Sequence, residues 1–164
     1  MILVGLGSNL TTAQFRTSED VLESAIKSLE NNNIEILQRS PWYRSAPIPA
    51  SDQPWFVNGV VSLRTQMGPK SLLQVLHEVE AEHGRVRGAR NASRTLDLDL
   101  LAYGDRIIDE PGGLKLPHPR LAERAFVLQP LSLLAPSWRH PVSGRTPAEM
   151  LAGLPPGQVV ERST

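Results

Sequence analysis

Thr95-Leu96-Asp97-Leu98-Asp99-Leu100-Leu101-Ala102-Tyr103 alternates apolar and acidic side chains, and that period marks a strand. In an extended chain Leu96, Leu98 and Leu100 share one face. Asp97 and Asp99 share the other, with Cα atoms ~6.5 Å apart, two strand rises. Upstream, Gly68-Pro69 opens a helix whose apolar positions are Leu72, Leu73, Val75, Leu76 and Val79. Before it, residues 56–65 and 34–43 read as strands, separated by a loop holding Pro47, Pro49 and Pro54. A first helix carries Val21, Leu22, Ala25, Ile26 and Leu29, with Thr17 or Ser18 as its cap and Asn31-Asn32-Asn33 at its end. Residues 1–6 form a short apolar strand that meets a turn at Gly5-Leu6-Gly7-Ser8-Asn9. Strand, helix, strand, strand, helix, strand is the order of a split β-α-β unit. The fold class expected is therefore α+β, a ferredoxin-like sandwich with helices packed on a mainly antiparallel sheet.

Past Tyr103 the pattern weakens. Gly104-Asp105 reads as a tight turn into Arg106-Ile107-Ile108, and Phe126-Val127-Leu128 leads to a short helix over 131–135. Residues 147–151 read as a weak last helix, and the tail beyond carries no signal. Neither a repeat nor a linker-like stretch divides the chain, so residues 1–164 are expected to form a single domain.

Composition narrows the function. Seventeen basic side chains balance 17 acidic ones, which argues against a protein built to grip bulk nucleic acid or an anionic membrane. With no cysteine, disulfides, thiolate metal sites and a cysteine nucleophile are excluded together. No apolar run approaches the roughly 20 residues a bilayer span needs. The start Met1-Ile2-Leu3-Val4 lacks the basic region of a signal peptide, so a soluble, cytoplasmic protein is expected. Of the basic residues, 14 are arginines, and Arg85, Arg87, Arg90 and Arg94 crowd together with no acid between them.

Paired carboxylates on one strand face could be a solvated edge. They could equally hold magnesium, which favours one or two carboxylates completed by water and phosphate. The arginines weigh toward the second reading, because a guanidinium offers a planar fork to phosphate oxygens. Carboxylate-held magnesium beside clustered arginines is equipment for phosphoryl transfer from a nucleotide. No G-x-x-x-x-G-K-[ST] sequence is present, and Gly5-Leu6-Gly7 lacks the third glycine of a dinucleotide fingerprint. Pro117-His118-Pro119 with Arg124 offers a second phosphate-facing pair, and Glu80 on the second helix faces either solvent or the site. Phe56 and Asn58 share a strand face, suiting a flat heterocycle that is stacked on the ring and read by the amide. Core packing is the plain alternative for Phe56 and Phe126.

The run Arg90-Asn91-Ala92-Ser93-Arg94-Thr95-Leu96-Asp97-Leu98-Asp99-Leu100-Leu101 resembles the signature of the 6-hydroxymethyl-7,8-dihydropterin pyrophosphokinase family. The segments Gly5-Leu6-Gly7-Ser8-Asn9-Leu10, Asp52-Gln53-Pro54-Trp55-Phe56-Val57-Asn58, and Pro117-His118-Pro119 with Arg124-Ala125-Phe126-Val127-Leu128 agree in order, as does Pro130-Leu131 before Ala135-Pro136. The likeness runs from residue 1 to about 136. It implies transfer of the β,γ-diphosphate of ATP to the pterin hydroxymethyl oxygen, releasing AMP, in folate biosynthesis. Asp97 and Asp99 would hold two magnesium ions, with Arg85, Arg94 and Asp97 serving the chemistry. Glu80, Arg87, Arg90, Leu100, His118 and Arg124 would contact ATP. The pterin would stack between Phe56 and Phe126, its edge read by Asn58 and the chain near Ser45, Ala46 and Ile48. Neither nucleic acid nor membrane is expected as a partner, and a monomer is. Asn91-Ala92-Ser93 stands where many relatives carry Trp-Gly-Pro, Ser45 where threonine is common, and His77 where some carry glutamine. The rival from another class is a split β-α-β module that binds single-stranded nucleic acid through the arginine loop and sheet aromatics. Zero net charge and a doubly acidic strand face argue against it.

Overall fold

The computed structural model of the chain describes residues 1–9, 14–84 and 95–163. β1 (Ile2–Ser8) lies between β4 (Phe56–Arg64) and β5 (Asp97–Tyr103), antiparallel to both. The other edge of β4 is shared by β2 (Glu35–Arg39) and β3 (Tyr43–Ser45), and β8 (Val160–Arg162) pairs beyond β3. These six strands form one sheet in which every pairing among the described residues is antiparallel. α1 (Ser18–Asn31) carries the chain from β1 to β2 on the far side of β4, and α2 (Pro69–Glu82) carries it from β4 to β5 on the far side of β1. That is the split β-α-β arrangement, and the α+β expectation holds.

Helices cover both faces of the sheet. α1 and α2 bury Val21, Leu22, Ala25, Leu29, Leu72, Leu76 and Val79 against Val4, Leu6, Val61, Leu98 and Leu100. α3 (Ala125–Leu134) and α4 (Pro147–Ala152) bury Val127, Leu128, Leu131 and Met150 against Leu3, Val60 and Leu101. Each fully buried leucine contributes roughly 1.5–3 kcal/mol of transfer free energy. Thr17 caps α1, its hydroxyl accepting from the Asp20 N–H at 3.1 Å. Among the described residues no helix is long and apolar enough to cross a membrane.

Four local expectations change. The strand read over 34–43 is broken into β2 and β3, because Pro41 has no N–H to donate and the Ser40 hydroxyl turns to accept from Val60 N–H at 3.0 Å. Gly104 (φ +59°) does turn the chain, but β6 (Ile108–Asp109) pairs with β7 (Lys115–Leu116) instead of folding back on β5. α3 begins at Ala125 rather than at 131, with Pro130 inside the helix. The tail forms β8, a strand too short to show a period.

Candidate active site

Register places the site. Asp97 lies opposite Gly7, Gly7 opposite Asn58, and Asn58 opposite Tyr43, so one row crosses four strands on the face that α3 covers. Directly opposed residues share a face, so Asp97 and Asn58 project to the same side with only a glycine between them. A Cβ on Gly7 would stand 2.8 Å from Asn58 Oδ1, too close to be tolerated without displacing the amide. The Asn58 amide in turn donates to Ser45 Oγ at 2.7 Å and is buried. Gly7 is therefore the space in which a buried amide is held at a fixed angle.

Over this row opens a slot of about 460 Å³. Ser45, Ala46, Ile48, Phe56, Asn58 and Phe126 all line it, together with Gly7, Asp97, Arg124 and Gln158. Phe56 and Phe126 are half-buried rather than packed away in the core, leaving ring surface for a ligand. One wall is the proline-rich loop. Its end is tied to β1 by Asn9, whose amide donates to Gln53 Oε1 and to the Pro54 carbonyl, each at 3.1 Å.

A second cavity, of about 310 Å³, runs along the outer edge of β5 between α2 and residues 113–119. Glu80, Asp97, Asp99, Leu100, His118 and Arg124 line it, with His77 and Lys115. Glu80 is buried, and its Oε2 accepts from the Leu98 N–H at 2.8 Å. β5 is an edge strand, so this bond satisfies an outward N–H and fixes the strand midway between the two aspartates. His118 is anchored to the same strand through its own N–H, which donates to the Leu101 carbonyl at 2.8 Å. Its Nδ1 accepts from the Arg120 N–H at 3.1 Å, which leaves Nε2 to carry the ring proton toward Asp99 Oδ1, 3.9 Å away. Burial, reinforced by the Arg124 charge and opposed by Asp97, pushes the His118 pKa down to about 4. The ring is neutral at pH 7, so the 3.9 Å approach to Asp99 is a dipolar contact and not an ion pair. Among the described residues Arg124 supplies an ionic partner, with Nη1 3.5 Å from Asp99 Oδ2 and its guanidinium 5.4 Å from the Phe126 ring centre.

Asp97 and Arg124 line both cavities, so the slot and the cleft meet at these two side chains. Among the described residues no third His, Asp or Glu joins the aspartates in a metal-binding group. Two hard carboxylates with the remaining positions open to phosphate and water suit magnesium, and they do not suit zinc. The expectations for Arg85, Arg87, Arg90 and Arg94 lie outside the described residues. Sequence reading missed Gly7 as the cradle for Asn58, and it missed Asn9, Gln53 and Gln158. Alternation within β1 would have pointed Gly7 to the Asp97 face; nothing local announces Gln158.

An antiparallel sheet that sets paired carboxylates between a ring-lined slot and a polar cleft defines a two-substrate site, one half flat and apolar, the other charged. The sequence model for 7,8-dihydro-6-hydroxymethylpterin-pyrophosphokinase (HPPK) matches residues 3–136, and the chain belongs to that family. It is 43% identical over 155 residues to the 2-amino-4-hydroxy-6-hydroxymethyldihydropteridine pyrophosphokinase of Pseudomonas aeruginosa, covering 94% of this chain and 91% of that protein. To the protein of the same name from Methylorubrum extorquens it is 39% identical over 158 residues, 95% of this chain and 94% of the other. The fold resembles the crystal structure of Plasmodium falciparum HPPK-DHPS wild type with a TM-score of 0.69, at 14% identity, over 92% of this chain and 44% of that one.

Proposed function

We propose that the slot takes 6-hydroxymethyl-7,8-dihydropterin and the cleft takes ATP, and that the chain moves the β,γ-diphosphate of ATP to the pterin hydroxymethyl oxygen. This is the pyrophosphokinase reaction of folate biosynthesis, and its products are AMP and the pterin diphosphate. The observation that carries the assignment of the two cavities is that Asp97 lines both, at the junction where an acceptor hydroxyl and a phosphate must meet.

Each residue then has a task. Phe56 and Phe126 sandwich the pterin ring, and Asn58, held by Gly7 and Ser45, reads its edge with one donor and one acceptor. Backbone groups at Ala46 and Ile48 complete the edge. Asp97 takes the hydroxyl proton as that oxygen bonds to the β-phosphorus, and the bond from this phosphorus to the α,β-bridging oxygen breaks to release AMP. Asp97 and Asp99 would hold two magnesium ions, which when bound neutralise charge along the triphosphate. Arg124 and the neutral His118, through Nε2–H, donate to phosphate oxygens. Glu80 and Leu100 border the nucleotide, Glu80 also fixing the aspartate strand. Arg85 and Arg94 are assigned to the charge on the departing AMP, and Arg87 and Arg90 to the triphosphate, on the strength of the sequence signature. Excluding water from the junction directs the diphosphate to the pterin.

The test is product identity. The purified chain with ATP, magnesium and the hydroxymethyl-dihydropterin is expected to yield AMP in step with pterin diphosphate. ADP as the nucleotide product would mean transfer of a single phosphoryl group and would overturn the reading.

A further inference from the structure

Gln158 lies well beyond residue 136, where the family match ends, and yet it lines the slot. Its side-chain amide grips the backbone on both sides of Arg124. Nε2 donates to the Glu123 carbonyl at 2.8 Å, and Oε1 accepts from the Ala125 N–H at 2.9 Å. Ala125 opens α3, whose N-cap residue Arg124 makes no side-chain capping bond. The first N–H groups of a helix have no partner within it. Gln158 therefore provides from the far end of the chain the acceptor that the local sequence does not.

Fixing Glu123 and Ala125 fixes the extended Arg124 between them (φ −112°, ψ 109°), and with it the directions in which the Arg124 and Phe126 side chains leave the backbone. The same tail also holds the opposite wall. Val160 pairs with Ser45, and the Val159 carbonyl accepts from the Ala46 N–H at 3.2 Å. Gly157, at φ +117°, makes the turn that swings Gln158 inward, a conformation glycine adopts without strain.

We propose that Gln158 is a positioning residue for the pterin half of the site: clasped to Glu123 and Ala125, and continuous with the strand that holds Ser45 and Ala46, it sets the width of the slot. The flat ring then fits because two walls separate in sequence are tied to one short segment. The proposal rests on the pterin reading given above.

Steady-state AMP formation, with pterin and ATP varied in turn, tests it on the wild-type chain, Gln158→Ala and Gln158→Glu. Gln158→Ala is expected to raise the pterin KM about tenfold, the scale of one net hydrogen bond in affinity, and the ATP KM by less, because Arg124 keeps its contact with Asp99. Gln158→Glu keeps the acceptor for Ala125 but sets a carboxylate oxygen against the Glu123 carbonyl in place of the donor, and its pterin KM is expected to rise above the wild-type value. If the alanine variant is too unstable to assay, the glutamate variant decides. A pterin KM unchanged in the variants assayed, or a fall in kcat and melting temperature alone, overturns the proposal and leaves Gln158 a helix cap. A wild-type chain that makes no AMP from ATP and pterin overturns the pterin reading as well, so the two failures are distinguishable.

Discussion

The slot and the cleft share Asp97 and Arg124 but are made of different material. The slot is walled largely by fixed parts: paired strands, a buried Asn58–Ser45 bond, a glycine that admits it, and a loop pinned by Asn9. The cleft is lined by side chains that carry charge or can donate, with Glu80 buried behind the strand as its anchor. A flat heterocycle is recognised by shape and a few amide bonds, for which rigid backbone is the right substance. A triphosphate is recognised by charge, which long polar side chains supply from several directions. On the proposed assignment, two substrates of opposite character would meet two kinds of construction, with the chemistry where they touch.

The shared aspartate gives the largest expected effect. Asp97→Ala should lower kcat/KM for both substrates by about a thousandfold, roughly 4 kcal/mol, the scale of a lost Lewis-acid and proton-accepting role. Turnover near wild type would show that the two cavities do not react across this residue. Phe126→Ala separates the halves. It should raise the pterin KM by tenfold or more, in line with about 1–3 kcal/mol per ring stacked on an aromatic side chain, and leave the ATP KM nearly unchanged. Equal changes in both constants would mean that slot and cleft are not distinct.

The cleft has its own signature in pH. The folded His118 pKa of about 4 lies below its unfolded value of 6.5, so the unfolded chain binds the extra proton first as pH falls. No cost exists above pH 6.5; the nucleotide-free protein loses stability from there down toward pH 4, about 2 kcal/mol by pH 5. His118→Gln should flatten that acid limb in denaturant titrations, and an unaltered limb would show that the histidine is not buried neutral. Smallest is Gly7→Ala, whose methyl must push the Asn58 amide off Ser45. About a fivefold weaker pterin KM is expected, near 1 kcal/mol, with the cleft unaffected.

How far these features could be read in advance follows from their range. Alternation over 95–103 placed Asp97 and Asp99 on one face, and the strand and register agree. The two helices on the α1–α2 face were legible because capping and apolar spacing are local signals. Alternation paired Phe56 with Asn58; that Ser45, Ala46, Ile48 and Phe126 belong with them came from the family likeness, since no spacing connects residues on a loop, a strand and a helix. The break at Pro41, the early start of α3 and the strand at the tail escaped. In each, a bond to a distant residue overrides or replaces a weak local pattern.

Patterns that repeat within a few residues settled the α+β class, the order of strands and helices up to β5 apart from the break at Pro41, and the doubly acidic strand, because strand and helix periods are written in neighbouring side chains. Folding was required to bring Asn9 to Gln53 across 44 residues, to seat Asn58 over a glycine of another strand, and to carry Gln158 back 33 residues onto the start of α3. It was also required to let one carboxylate face two cavities. Such contacts depend on where separate segments come to rest, and a hydrogen bond leaves no mark in the residues beside it.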